Sequence, residues 1–343
     1  MSALAKLLTA LLLLVLGAQP SRAEGVSFAG KRINLYIGFS PTGFGYDTYG
    51  RFLAKYLGKY LPGNPLVVPQ NRPGAGSLSL VSYLYNAGAR DGTDIGLVGR
   101  GAAMEPLLSN NALAAKFDAT KLTWIGSMNN EVAGFFISDI APAKDLQAVL
   151  AGTPIQVGST GSGGDPETFA NAINVVFKTK MKIVAGYPGM NEILLGISRG
   201  ELDGVLGYSW GVARMGSRDE LKEGKLKLIM QLALKKHPEL PDAPLVTELV
   251  PDGEGKRVLE LIFARQSMGR PITAPPGLDP AVTAALRKAF SDAMHDPEFI
   301  ADCERINLEI SFVSGEDVQV LVGQLYSLPE SVIAEARKIV AAK

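Results

Sequence analysis

The chain has 343 residues, 47% of them hydrophobic and 20% charged, and its 34 basic and 34 acidic side chains cancel. A net charge of zero gives no electrostatic ground for a nucleic-acid partner or an anionic membrane. A single cysteine, Cys303, rules out an internal disulfide, and two histidines in unrelated polar contexts, His237 and His295, supply neither a zinc set nor a Ser-His-Asp triad.

At the start, Lys6 precedes an apolar run from Leu7 to Gly17, followed by Ser21-Arg22-Ala23. That order predicts a secretory signal peptide cut after Ala23. The run is shorter than the roughly 20 residues that span a bilayer. The chain beyond Ala23 exceeds the roughly 250–300 residues at which single cores stop growing, so two lobes are expected.

Strand and helix signals then alternate, which predicts an α/β chain of mainly parallel sheets flanked by helices. Ile33–Phe39 reads as a strand and Asp47–Leu61 as a helix. Tyr49, Phe52, Leu53, Tyr56, Leu57 and Tyr60 form one face of that helix, and Leu61-Pro62-Gly63-Asn64-Pro65 stops it. Leu66–Val68 is a short strand, Asn71–Ser77 a turn, and Leu78, Val81, Leu84 and Tyr85 the stripe of a second helix. Ile95–Val98 is a strand ending at Gly99-Arg100-Gly101.

A second unit opens near Trp124. It has strands at Phe135–Ser138, Ile155–Val157, Lys182–Val184 and Gly204–Leu206, with helices at Ala143–Leu150 and Asn191–Arg199. Another helix starts at Asp165-Pro166, read as N-cap and first turn. Leu226–Leu232 reads as a crossing strand, Leu259–Met268 as a strand, and Ala281–His295 and Val318–Val340 as helices. The expected division is a signal peptide over 1–23, a discontinuous first lobe over 24–127 plus 236–343, and a second lobe over 128–235. The hinge is expected at Ser127–Asn130 and Leu232–Lys235.

Two glycine-rich loops carry the chemistry. Ser40, Thr42, Gly43, Phe44, Gly45, Tyr46 and Asp47 follow the first strand, and Ser159, Thr160, Gly161, Ser162, Gly163 and Gly164 follow Ile155–Val157. A strand-to-helix glycine turn aims free backbone N–H groups and a helix dipole at one point, which suits a carboxylate or phosphate. The hydroxyls add donors. Arg100, between two glycines, is a candidate carboxylate clamp. Tyr187 and Tyr208 stand on loops at the same ends of strands, where aromatic rings could cover a ligand's apolar body. For Asp47 and Arg51 the reading is an i, i+4 ion pair at a helix start.

Competing chemistries find little support. Gly43-x-Gly45-x-x-Thr48 lacks the third glycine of a dinucleotide loop, and the next strand ends without an acid for a ribose. No Gly-Lys-Ser/Thr phosphate loop and no Gly-x-Ser-x-Gly elbow occur. Neither a cofactor nor a metal is expected.

The segment Phe39-Ser40-Pro41-Thr42-Gly43-Phe44-Gly45-Tyr46-Asp47, with Gly50-Arg51 after it, resembles the first ligand loop of the tripartite tricarboxylate transporter receptors, or Bug-type binding proteins. Asn71-Arg72-Pro73-Gly74-Ala75-Gly76 is similar to their second signature almost letter for letter. Asp91-Gly92-Thr93, Gly158–Gly163, Tyr187-Pro188-Gly189 and Gly200-Glu201-Leu202-Asp203 come next in the family's order. The resemblance implies a two-lobed periplasmic-binding-protein-like fold of type II. It implies a monomeric periplasmic receptor, not an enzyme, that closes on a small organic acid, aromatic or dicarboxylic. It also implies membrane permease subunits as partners. Backbone amides over Thr42 to Tyr46 and Ser159 to Gly164 would hold the carboxylates. Thr42, Phe44, Tyr46 and Pro188 depart from the family's usual letters, which bears on the ligand more than on the fold. Two alternatives stay open: a receptor presenting its ligand to a sensor kinase, and a secreted enzyme drawing a base from Asp47, Asp165 or Glu105.

Overall fold

The computed structural model describes residues 25–41, 45–109, 112–160 and 164–341, and the expected signal peptide lies outside them. The first half runs β1 (Arg32–Ile37), α1 (Tyr46–Tyr60), β2 (Leu66–Asn71), α2 (Leu78–Ala87), β3 (Asp94–Leu97), α3 (Glu105–Leu108) and β4 (Thr123–Ser127). The second unit runs β5 (Ala133–Ser138), α4 (Leu146–Leu150), β6 (Ile155–Gly158), α5 (Asp165–Phe177), β7 (Met181–Val184), α6 (Met190–Ser198), β8 (Gly204–Ser209), α7 (Trp210–Gly216), α8 (Arg218–Lys222) and β9 (Leu226–Leu232). The chain then returns through α9 (Glu254–Phe263), β10 (Pro271–Ala274), α10 (Pro280–Met294), α11 (Pro297–Arg305), β11 (Val313–Ser314), α12 (Gly315–Tyr326) and α13 (Glu330–Ala341).

The strands form two sheets, ordered β11-β4-β10-β3-β1-β2 and β7-β6-β8-β5-β9. Each contains a parallel triple with its first strand in the centre, β2-β1-β3 and β7-β6-β8. Beside each triple lies an antiparallel strand, β10 in the first sheet and β5 in the second. The sheets are therefore mixed where the alternation predicted mainly parallel ones. Only the βαβ units are parallel. β5 enters the second sheet just after the chain leaves the first, and β10 is delivered by the return, so their directions are set by the crossings and not by a helix.

Burial matches the sequence stripes. On α1, Tyr49, Leu53, Tyr56 and Leu57 are buried. β3 and β5 are buried along their whole length, as strands covered on both faces must be. Leu259–Met268, expected as a strand, is instead the end of α9 and a 3-10 turn over Ala264–Met268. Val258, Leu259, Leu261, Ile262 and Phe263 are all buried, and a continuous apolar run does not distinguish a buried strand from a buried helix. The helix expected over Val318–Val340 is broken into α12 and α13 at 327–329, where Pro329 cannot continue the ladder.

The Asn71–Gly76 signature has a clear local cause. Ala75, Gly76 and Ser77 all take left-handed backbone, with φ of 47°, 62° and 76°. This kink presses Ser77 onto β1's end, where any side chain on Gly38 would collide with its Cβ. There the Ser77 hydroxyl accepts a hydrogen bond from the Gly99 N–H at 2.7 Å. The three strand ends that carry the first loop, the signature and Gly99 are thus held together by one small residue.

α9 and α13 pack on α5 of the second unit, and α13 also packs on α3 of the first. The C-terminal helices therefore bridge the two sheets.

Candidate functional site

The first loop is anchored from below. Asn71 donates to the Phe39 carbonyl at 2.9 Å and to Asp47 Oδ1 at 2.7 Å. Arg51 completes the ring, donating to Asp47 at 2.9 Å and to Asn71 Oδ1 at 2.8 Å. The hydrogen bond from Arg51 holds the Asp47 carboxyl below the usual carboxylate range, against the opposing effect of burial. Asp47 thus makes the expected i, i+4 pair. Its oxygens meet the side chains of Arg51 and Asn71. Ser40 is exposed. Tyr46 stacks on Phe39 with ring centroids 4.0 Å apart and donates to the Gly269 carbonyl at 3.2 Å. Gly45, the residue before α1, opens onto a cavity between the two sheets. Thr42, Gly43 and Phe44 lie outside the described residues.

On the second loop, Ser159 is fully buried and its hydroxyl donates to Glu167 at 3.1 Å. Thr160 is exposed, and Gly161, Ser162 and Gly163 lie outside the described residues. Gly164 is the N-cap of α5, so Asp165 is its first residue and not its cap. The Asp165 side chain instead reaches across to Arg100 and Arg265. Burial raises its carboxyl, but the charges of Arg100 and Arg265 outweigh that and hold it below the usual range.

Arg100 therefore faces the protein's own acids. It pairs with Glu131 and Asp165 and donates to Gln266 at 3.2 Å. Tyr208 is buried at 4%, hydrogen-bonds Ser217 at 3.3 Å and packs on Phe136. Its strand position puts the ring into the core of the second sheet, not over the cleft. Tyr187 is half-buried against that same core.

The cavity between the sheets has a volume of about 690 Å³. Gly45, Tyr49, Arg270 and Glu309 approach it from the first sheet's side, and Asn191, Ser209 and Gly211 from the second's. Tyr49 donates to the Glu309 carbonyl at 2.8 Å, and burial pushes its phenol up to about 12, so it stays a neutral donor. Arg270 lies over the Tyr46 and Tyr49 rings, 4.4 Å and 4.8 Å from their centroids. Its Nη1 is 3.0 Å from Glu131. A separate groove of about 640 Å³ lies between α1 and β2. Its Lys55 and Lys59 are paired with Asp302 and Asp296.

Glu131, Arg265, Gln266, Arg270 and Glu309 were not among the expected site residues. A signal existed for two of them: Arg265 and Gln266 interrupt an apolar run read as a buried strand, and charge inside such a run needs a partner. Nothing local marks Glu131 or Glu309, which reach the cavity only through the crossing and return segments. Among the described residues no group of three His, Cys, Asp or Glu side chains is placed to hold a metal. Burial pushes the Cys303 thiol up to about 12, as for an inert core residue.

The family model described as "Tripartite tricarboxylate transporter family receptor" matches residues 50–336. A solute-binding protein of the same TctC type from Polaromonas, solved without ligand, is 19% identical, with a TM-score of 0.70 over 90% of this chain and 100% of that one. MatC from Rhodopseudomonas palustris with bound malate is 19% identical, with a TM-score of 0.59 over 90% and 99%. A second R. palustris protein, with adipate, is 15% identical, with a TM-score of 0.62 over 91% and 98%. Together with the two sheets, these likenesses show the two-lobed α/β fold of periplasmic binding proteins.

Proposed function

Because the chain belongs to the tripartite tricarboxylate transporter receptor family, we propose that it captures a small organic acid between its two sheets and delivers it to the membrane subunits of such a transporter. The observation that carries this reading is the cavity of about 690 Å³, lined by Gly45 at the N-terminal end of α1 and by Arg270. A helix N-terminus and a half-buried arginine both favour an anion there. Relatives of this fold hold malate and adipate, which are small carboxylates. The second loop, at Ser159 to Gly164, would close on the same ligand from the other lobe.

In this reading the protein works in the periplasm as a monomer, after removal of residues 1–23. Among the described residues no helix is long and apolar enough to cross a membrane. All strands of the second sheet fall within 133–232, and those of the first within 32–127 and 271–314. That supports lobes divided near 127 and 236, with α9 and α13 of the first lobe reaching across to pack on α5 of the second. Of the bases named for the enzyme alternative, Asp47 and Asp165 are held by arginines as charged acceptors.

The test is a thermal-shift and calorimetry screen over mono- and dicarboxylates, with mass spectrometry of ligand carried through native purification. A ligand at a hundred times its Kd should stabilise the fold by about 2.7 kcal/mol. Stabilisation by neutral sugars but by no acid would refute the reading.

A further inference from the structure

The charges that line the cleft bear on which acid it would take. Among the described residues that line the cavity, three are charged: Arg270, Glu131 and Glu309. The loop residues outside the described ones, Thr42-Gly43-Phe44 and Gly161-Ser162-Gly163, carry no charge. Arg270 and Glu131 belong to a cluster in which Arg100, Arg265 and Arg270 face only two carboxylates, Glu131 and Asp165. Three guanidiniums on two carboxylates leave one positive charge without a counter-ion. The cluster is also rich in unused donors: Nε of Arg265, Nε of Arg270 and Nε2 of Gln266 are buried with no acceptor. Gln266 is fully buried and Arg265 is 6% exposed. A buried charge without a counter-ion is costly, and a ligand carboxylate on Arg270 supplies one.

Glu309 gives the cavity its other pole. Its carboxylate lies against Gly211 at the start of α7, where a side chain in place of the glycine hydrogen would strike it. Among the described residues its one ion-pair partner is His237, whose Nε2 is 3.4 Å away. That partner balances the carboxylate's charge only when its imidazole is protonated. The cavity therefore offers one positive and one negative pole. A dicarboxylate can satisfy the first, but its second charge then shares a half-buried space with Glu309.

Building on the receptor reading above, we propose that the cleft takes an amino acid-type ligand, with its carboxylate on Arg270 and its ammonium group on Glu309, in preference to a dicarboxylate. The preference is electrostatic and depends on Glu309. Replacing one carboxylate by an amine at constant length turns a like-charge contact into an ion pair.

Matched probes test this: adipate against δ-aminovalerate, and glutarate against γ-aminobutyrate, by calorimetry at mildly alkaline pH. Each pair shares its methylene spacer. The wild-type protein should bind the amino acid of at least one pair about tenfold more tightly than its diacid. Glu309→Gln should remove most of that ratio while leaving the diacid's affinity equal or improved. Arg270→Gln should weaken both members of a pair. Equal or tighter binding of the diacids by the wild type, or a ratio unchanged in Glu309→Gln, overturns the proposal and leaves the receptor reading intact. A loss of both probes to the same degree in Glu309→Gln also overturns it, since that marks a structural role. If no acid of either kind binds at millimolar concentration, the carboxylate reading itself falls and this inference with it.

Discussion

Asp165→Asn removes the carboxylate through which the second lobe holds Arg100 and Arg265. The side chain is only 13% exposed, and both partners are largely buried, at 19% and 7%. Afterwards Glu131 alone would face three guanidiniums. Breaking a buried pair by deleting one partner costs about 3–5 kcal/mol, because the charge left behind is uncompensated. Arg100 keeps Glu131 and Arg265 keeps no other ion-pair partner, so the lower half of that range is expected, about 3 kcal/mol. At roughly 2 °C per kcal/mol for a chain of this size, the melting temperature should fall by about 6 °C. Urea unfolding of Asp165→Asn, Arg100→Ala and the double variant then gives the coupling, expected above about 1 kcal/mol for groups in direct contact. Since Arg100 lies just after β3 and Asp165 opens α5, the ligand-free variant should also scatter X-rays as a larger particle. A coupling within about 0.5 kcal/mol of zero, with unchanged scattering, would refute the view that this pair ties the lobes.

The same contacts set four further outcomes. Asn71→Ala should destabilise the fold by about 1–2 kcal/mol, by stripping two acceptors of their donor, and should weaken ligand binding by loosening the first loop; equal affinity would detach Asn71 from the site. Gly211→Ala should displace the Glu309 carboxylate and reduce affinity while leaving α7 intact by circular dichroism. Tyr208→Phe should cost about 0.5–1.5 kcal/mol through the lost Ser217 contact and leave Kd unchanged, which calorimetry checks. Acid should weaken the α1–α11 corner. Lys59's hydrogen bond, with those from Tyr60 and the α11 backbone, lowers the Asp296 carboxyl from 3.8 to about 2. A lowered carboxyl contributes stability above its unfolded value, and that contribution is lost as pH falls from about 4 through 2. Lys59 is 55% exposed, so the contribution is discounted to on the order of 1 kcal/mol. The difference between wild type and Asp296→Asn in urea should therefore shrink across that range.

Periodicity made the βαβ units legible. The stripe on α1, the stop at 61–65 and the return to a strand at Leu66 come from spacing alone, and the structure repeats them within a residue or two. Spacing failed at Leu259–Met268, where every apolar residue is buried and no exposed face reveals the period. The site was legible in the same uneven way. Both glycine loops are local features, as is the Asp47–Arg51 pair. Tyr208 could not be placed from its loop position, because the ring's direction depends on which side of β8 faces α8 and Ser217.

By itself the sequence determined the strand-to-helix turns, the kinked Asn71–Ser77 signature and the family they mark, since each depends on backbone preferences of neighbouring residues. The tertiary structure alone decided what Arg100 does. Its guanidinium is as suited to a ligand carboxylate as to Asp165, which lies 65 residues further along the chain. Only the approach of α5's first turn to the end of β3 makes the protein's own acids its partners. The same holds for Arg270 and Glu309: charge is written in the sequence, but which charges are neutralised is a property of distance, and distance is set by how the two sheets meet.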